Sequence, residues 1–246
     1  MIDANWPNLP SMFFEQAQRY RERPFLWRRR DGAYEPLSWA GANARTTALA
    51  RALISEGVGT GDRVVLVSEN RPAWLITDVA IMATGAITVP AYITNTVADH
   101  RHVLTDSGAK AVIVSTAKLA ERVIEAASAA PDLKFIVVMD VVSPRPSGPR
   151  VIGMDTFMAT GRARNDDVAE IARHISADAT ACIIYTSGTG GVPKGVMLSH
   201  RAILHNCAGA TDALRDIGLG DEVFLSFLPL SHSYEHTAGQ FFPISI

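Results

Sequence analysis

Cysteine is almost missing from this chain, with only Cys182 and Cys207 among 246 residues. Two isolated thiols build no disulfide framework and lack the spacing of a metal site. Cys182 sits inside the apolar run "ACIIY", where a small buried hydrophobe is expected, and a reducing compartment is the simple reading. Excess charge of either sign is missing too. The net charge of -2 gives no bulk attraction for nucleic acid or an anionic surface, so no nucleic-acid partner is expected. The opening "MIDANWPNLP" has neither a basic start nor an apolar run, which excludes a secretory signal. The longest apolar stretch, Val79 to Ile93, is interrupted by Thr84, Gly85, Thr88 and Pro90. It falls short of the roughly 20 residues a bilayer span needs. No segment is expected to cross a membrane, and a cytoplasmic location follows, with peripheral attachment at the inner membrane surface left open.

What is present is the balance of a globular protein, 48% hydrophobic and 20% charged. A helix is expected over Ser11 to Tyr20. "PFLWRRR" and "AYEPLS" flank Asp31-Gly32, a strong hairpin turn. Ser38 then caps a helical pattern that reaches Glu56 and stops at Gly57. Beyond it the pattern alternates: "RVVLVS" strand, "AWLITDVAIMA" helix, "AITVPAY" strand, "DHRHVLTDS" helix, "AVIVS" strand, "KLAERVIEAASAA" helix, "KFIVVMD" strand. Short β-branched runs between helical periods specify βαβ units, an α/β fold with a parallel sheet covered on both faces. Pro-rich 141–150 reads as a surface connection, followed by a short helical region up to Ser176. "TACIIYTS" is a strand, a glycine loop follows, and Ser199 caps a helix over "SHRAILHNCAGATDALR". "EVFLSFLPL" reads as a further strand. The last residues, "SHSYEHTAGQFFPISI", begin a helix rich in apolar side chains that require partners, so the chain reads as the front part of something longer.

The stretch with chemistry in it is "YTSGTGGVPKGVMLSH", Tyr185 to His200. Gly188, Gly190, Gly191 and Gly195 let backbone N–H groups converge on an anion. Thr186, Ser187 and Thr189 add hydroxyl donors, and Lys194 adds a positive charge suited to phosphate oxygens. Known loops can be tested against it. A Walker A loop requires Gly-Lys-Ser/Thr, but Pro193 precedes Lys194 and Gly195 follows it. The dinucleotide fingerprint would need glycine at 193, which is proline. A nucleophile elbow around Ser187 would need glycine at 185, which is tyrosine.

The stretch does resemble the phosphate loop of AMP-forming acyl-CoA synthetases, the adenylate-forming superfamily. That family's pattern is [YF]-T-S-G-T-T-G-x-P-K-G-V-x-x-[ST]-H, and the one departure is Gly190 in place of a second threonine. "SENRPAWLITDVAIMATGAITVPAYITNT" looks like the family's early helix and strand. "FLPLSHSYEHTAG" looks like its acyl-site motif in the form of long-chain fatty acid members. The resemblance implies that residues 1–246 are the N-terminal part of the AMP-binding large domain, with mainly parallel sheets flanked by helices and an N-terminal β-hairpin. It implies activation of a carboxylic acid, a long-chain fatty acid by the motif's form, to an acyl-adenylate, and then a thioester with CoA. ATP, Mg²⁺ and CoA are the implied cofactors and co-substrates. Thr186, Ser187, Gly188, Thr189, Gly190, Gly191 and Lys194 would grip the β- and γ-phosphates, with Thr186 also touching Mg²⁺. His232 would stand beside the nascent acyl-adenylate, shaping and gating the acyl pocket. The family's adenine segment, its ribose aspartate and its C-terminal lid with the catalytic lysine match nothing here, so this stretch alone is expected not to turn over.

The same residues fit other readings. A freestanding nucleotide- or acyl-binding module without catalysis is one. His232-x-x-Glu235-His236 also fits an inverted zinc-peptidase pattern, with two histidines four apart on a helix. His200 and His205 read as helix-start and packing residues, "DHRH" (Asp99 to His102) as a solvated helix face, and "WRRR" as the charged outer side of a twisted hairpin.

Overall fold

A computed structural model describes residues 6–141, 148–186, 191–218 and 222–246. Helix α1 (Leu9–Tyr20) starts two residues before its expected position. Asn8 accounts for the extension: its Oδ1 accepts from the Ser11 N–H, and its Nδ2 donates to the carbonyls of Ala172 and Ile175. Strands β1 (Pro24–Arg30) and β2 (Ala33–Ser38) form the antiparallel hairpin. Asp31 and Gly32 both take positive φ, 49° and 86°, as its tight turn requires. Ser38 caps α2 (Trp39–Ser55) through its side chain, and Gly57 follows the end with φ of 75°.

The alternating core continues with β3 (Arg63–Val67), α3 (Pro72–Ala83), β4 (Ile87–Ala91), α4 (Val97–Ser107), β5 (Ala111–Val114), α5 (Ala117–Ala127) and β6 (Phe135–Val138). A strand that the sequence reading missed, β7 (Arg150–Gly153), pairs with β6 and precedes α6 (Met154–Arg162) and α7 (Val168–Arg173). The remaining elements are β8 (Thr180–Thr186), β9 (Lys194–Ser199), α8 (His200–Ala213), a 3-10 turn over Arg215–Ile217, α9 (Ser233–Glu235), a π-helical turn over His236–Phe241 and α10 (Phe242–Ser245). One seven-stranded sheet runs in the order β7-β6-β5-β3-β4-β8-β9, parallel except at the β8–β9 edge.

Strand periodicity divides the core. Val64, Leu66, Ile113 and Val137 face one apolar cluster with α1, α2, α3 and α6, whereas Val65, Val67, Val112 and Val138 face another with α4 and α5. Side chains that alternate in direction yet are buried on both faces are the mark of a doubly covered parallel sheet.

Two sequence expectations fail here. The segment from Lys194 to Ser199 is a strand, so the glycine loop lies in a β-hairpin and does not lead directly into a helix. A connection this short between neighbouring strands permits only antiparallel pairing. "EVFLSFLPL" forms no strand among its described residues, and Val223 and Phe227 are 76% and 75% exposed. An apolar run of leucine and phenylalanine becomes a strand only beside a ladder partner, and the described residues supply none. The apolar tail does find partners: Phe241, Phe242 and Ile244 are buried, and Gln16 donates to the Ile244 carbonyl from α1.

Candidate functional site

The hairpin of β8 and β9 brings the two legs of the glycine loop together, with Thr186 directly opposite Lys194. Both residues are exposed at its mouth. Ser187, Gly188, Thr189 and Gly190 lie outside the described residues. Gly191 has φ of 107°, a backbone region that disfavours any side chain, and open space where a Cβ would stand. One step along β9, Gly195 faces Tyr185, and a Cβ there would come within 2.7 Å of Ile183 Cγ2. That glycine is therefore required by the hairpin's packing. Among the described residues, no carboxylate lies within ion-pair distance of Lys194.

The loop's legs rest on α4. The Tyr185 hydroxyl donates to Asp106 Oδ2 at 2.6 Å, and His102 Nε2 donates to the Pro193 carbonyl at 2.8 Å. The His102 and Tyr185 rings meet edge to face, 5.6 Å apart. Burial, followed by the hydrogen bond and charge of Asp106, pushes the Tyr185 phenol well above its ordinary range. The solvated face expected for "DHRH" is only partly correct. Asp99 and Arg101 are exposed, but His100 is buried, and burial lowers its imidazole to about 4.

His232 is exposed on the other candidate segment, and its Nδ1 accepts from the Tyr234 N–H at 3.2 Å, capping α9. This segment is pinned from below by Asn70, just past β3. Asn70 Nδ2 donates to Ser226 Oγ and to the Leu228 carbonyl, while its Oδ1 accepts from the Leu230 N–H. Ser226 in turn donates to Glu235 Oε1 at 2.7 Å. Deeper in, His236 is fully buried, 2.8 Å from Asp78 Oδ2, which also accepts from Gln240. His232, Glu235 and His236 therefore point to different partners, and no group of three or more possible metal ligands occurs among the described residues. His200 is buried at the start of α8, as a packing role requires, but His205 is exposed. Both cysteines are buried and free.

Asn70, Asp78, His102 and Asp106 were missed as site-supporting residues. The four-residue spacing of His102 and Asp106 on a helix was legible, but their partners at Tyr185 and Pro193 lie far along the chain.

A doubly covered, mostly parallel sheet with an antiparallel hairpin at one edge, Thr186 and Lys194 facing each other at its mouth, defines an α/β fold. The chain belongs to the AMP-binding enzyme family, whose model matches residues 13–246. It is 35% identical over 225 residues to the long-chain-fatty-acid–CoA ligase FadD15 of Mycobacterium tuberculosis, covering 92% of this chain and 36% of that protein. It is 29% identical over 252 residues to the chloroplastic long-chain-fatty-acid–[acyl-carrier-protein] ligase AEE15 of Arabidopsis thaliana, covering 97% and 34%. The chain thus spans about a third of the length of these relatives. In fold it matches the A-PCP didomain of carboxylic acid reductase from Segniliparus rugosus, solved in complex with AMP. The TM-score is 0.84 at 20% identity, covering 99% of this chain and 39% of that one. No helix among the described residues is long and apolar enough to cross a membrane.

Proposed function

We propose that residues 1–246 form the N-terminal part of the large domain of an acid–thiol ligase, which activates a carboxylic acid with ATP and passes the acyl group to a thiol. The observation that carries this reading is Lys194, exposed and without a carboxylate partner among the described residues, opposite the Thr186 hydroxyl at the mouth of a glycine hairpin. That donor set suits a polyphosphate. In the first step a carboxylate oxygen bonds to the α-phosphorus, the bond to the bridging oxygen breaks, and pyrophosphate leaves. In the second, a thiolate sulfur bonds to the acyl carbon and the acyl–phosphate bond breaks, releasing AMP.

Catalysis of this kind depends on positioning and charge neutralisation. Lys194 and the amides and hydroxyls of 186–191 hold the β- and γ-phosphates and stabilise charge on the departing pyrophosphate. Thr186 would offer a hard oxygen ligand to Mg²⁺, an ion that would supply charge neutralisation at the phosphates. His232 borders the acyl group and gates its access.

A long-chain fatty acid is the substrate favoured by the FadD15 and AEE15 matches and by "LPLSHSYEH". CoA is the acceptor favoured by FadD15, whereas the name of AEE15 specifies an acyl carrier protein. ATP–pyrophosphate exchange, measured on the natural full-length protein with acids of graded chain length, tests this reading. Exchange dependent on a long-chain acid is expected. Tight MgATP binding with no exchange for any acid would favour a binding module instead.

A further inference from the structure

Resting on that reading of the site, we propose that α4 fixes the two strand ends that carry Thr186 and Lys194, with His102 and Asp106 as positioning residues for triphosphate binding. The geometry is a two-point grip. Tyr185 immediately precedes the mouth on the incoming leg and is tied by its hydroxyl to Asp106. Pro193 immediately precedes Lys194 on the outgoing leg and is tied by its carbonyl to His102. The two α4 residues are one turn apart and face the same way. One helix face therefore holds both ends of the loop.

The second bond constrains Lys194 directly. No cis peptide occurs among the described residues. In a planar trans peptide the C=O and the following N–H point in opposite directions. Holding the Pro193 carbonyl against α4 therefore turns the Lys194 N–H away from α4. Proline contributes no N–H of its own and a nearly fixed φ, so few other torsions in the outgoing leg remain to be set.

The helix is itself well anchored. Thr96 and Asp99 form a reciprocal capping box at its start, and Gly108 closes its end with φ of 59°. Val103 and Leu104 are buried against the sheet, and Arg63 of β3 donates to the Ser107 and Gly108 carbonyls.

The test is a KM-against-kcat comparison in ATP–pyrophosphate exchange on the natural full-length protein. His102→Ala is expected to raise the KM for MgATP roughly tenfold while leaving the KM for the acid unchanged; His102→Gln, which keeps a donor of similar reach, restores it. Tyr185→Phe, which keeps the ring packing, is expected to shift the same KM in the same direction. An unchanged MgATP KM in a normally folded His102→Ala protein overturns the proposal. So does an equal rise of both KM values, with lowered thermal stability, in the Ala and Gln variants alike. A wild-type protein that neither binds MgATP nor exchanges removes the reading of the loop, and this inference with it.

Discussion

His236 Nε2 donates to Asp78 Oδ2 across 2.8 Å in the interior of the protein, and neither side chain has any exposed surface. Burial alone would lower the imidazolium, but the Asp78 charge and hydrogen bond, with Cys182 close by, overcome it and raise His236 to about 10. The bond joins α3 to the π-helical turn that follows His232. π-helical turns cost hydrogen-bond geometry and recur at functional positions.

This pair gives stability a definite pH dependence. A raised folded-state value means that the His236 contribution is complete below its ordinary value of 6.5 and is lost as pH rises through about 10. His100 and His200 behave oppositely: burial lowers each to about 4, so their contribution is complete above 6.5 and fades as pH falls toward 4. Urea unfolding is expected to give highest stability near neutral pH, with an alkaline limb that disappears in Asp78→Asn. Removing Asp78 as Ala should cost about 3–5 kcal/mol, the usual cost of stranding a buried partner.

Glycine positions give a sharper mechanical test. A Cβ on Gly161 in α6 would come to 1.8 Å from the Ala48 carbonyl oxygen of α2, a backbone atom that cannot move aside. Gly209 in α8 has nothing within 4 Å of the same position. Gly161→Ala should therefore destabilise by about 3 kcal/mol or more, at the upper end of overpacking costs. Gly209→Ala should stabilise by about 0.4–1 kcal/mol through the unfolded chain. Denaturant midpoints of the two variants decide the matter, and equal effects would contradict this packing of α2 on α6.

Asn70 is expected to be the fastener of the His232 segment. Asn70→Ala removes its bonds to Ser226, Leu228 and Leu230 together. At about 0.5–1.5 kcal/mol net for each, the loss should stay local. Hydrogen exchange should accelerate at the Leu230 amide, with little change in α5 on the far side of the sheet. Unchanged protection at Leu230 would show that the segment is held by other contacts.

The alternation of strands and helices from Arg63 to Val138 was legible because each element carries its own period and its own punctuation. The Asp31-Gly32 turn and the Ser38 and Ser199 caps were legible for the same local reason. The glycine hairpin's residues were evident, but its second strand was not: "KGVMLS" becomes a strand only because β8 lies alongside. The reverse held for 222–230, where a strand-like composition met no partner. His100 was misread as solvated because burial depends on what α4 packs against, which no local pattern encodes. The supports of the site, Asn70, Asp78, His102 and Asp106, each act on residues 79 to 162 positions away. Such contacts exist only once the sheet is assembled.

The proposed capture of a nucleotide triphosphate at the hairpin mouth depends on Lys194. Equilibrium binding of MgATP to the natural full-length protein, wild type against Lys194→Ala, tests it most directly. Losing a charged hydrogen-bond donor should weaken binding on the order of 10- to 100-fold, with the thermal midpoint unchanged because Lys194 is exposed. Equal affinity in the two proteins would contradict the account.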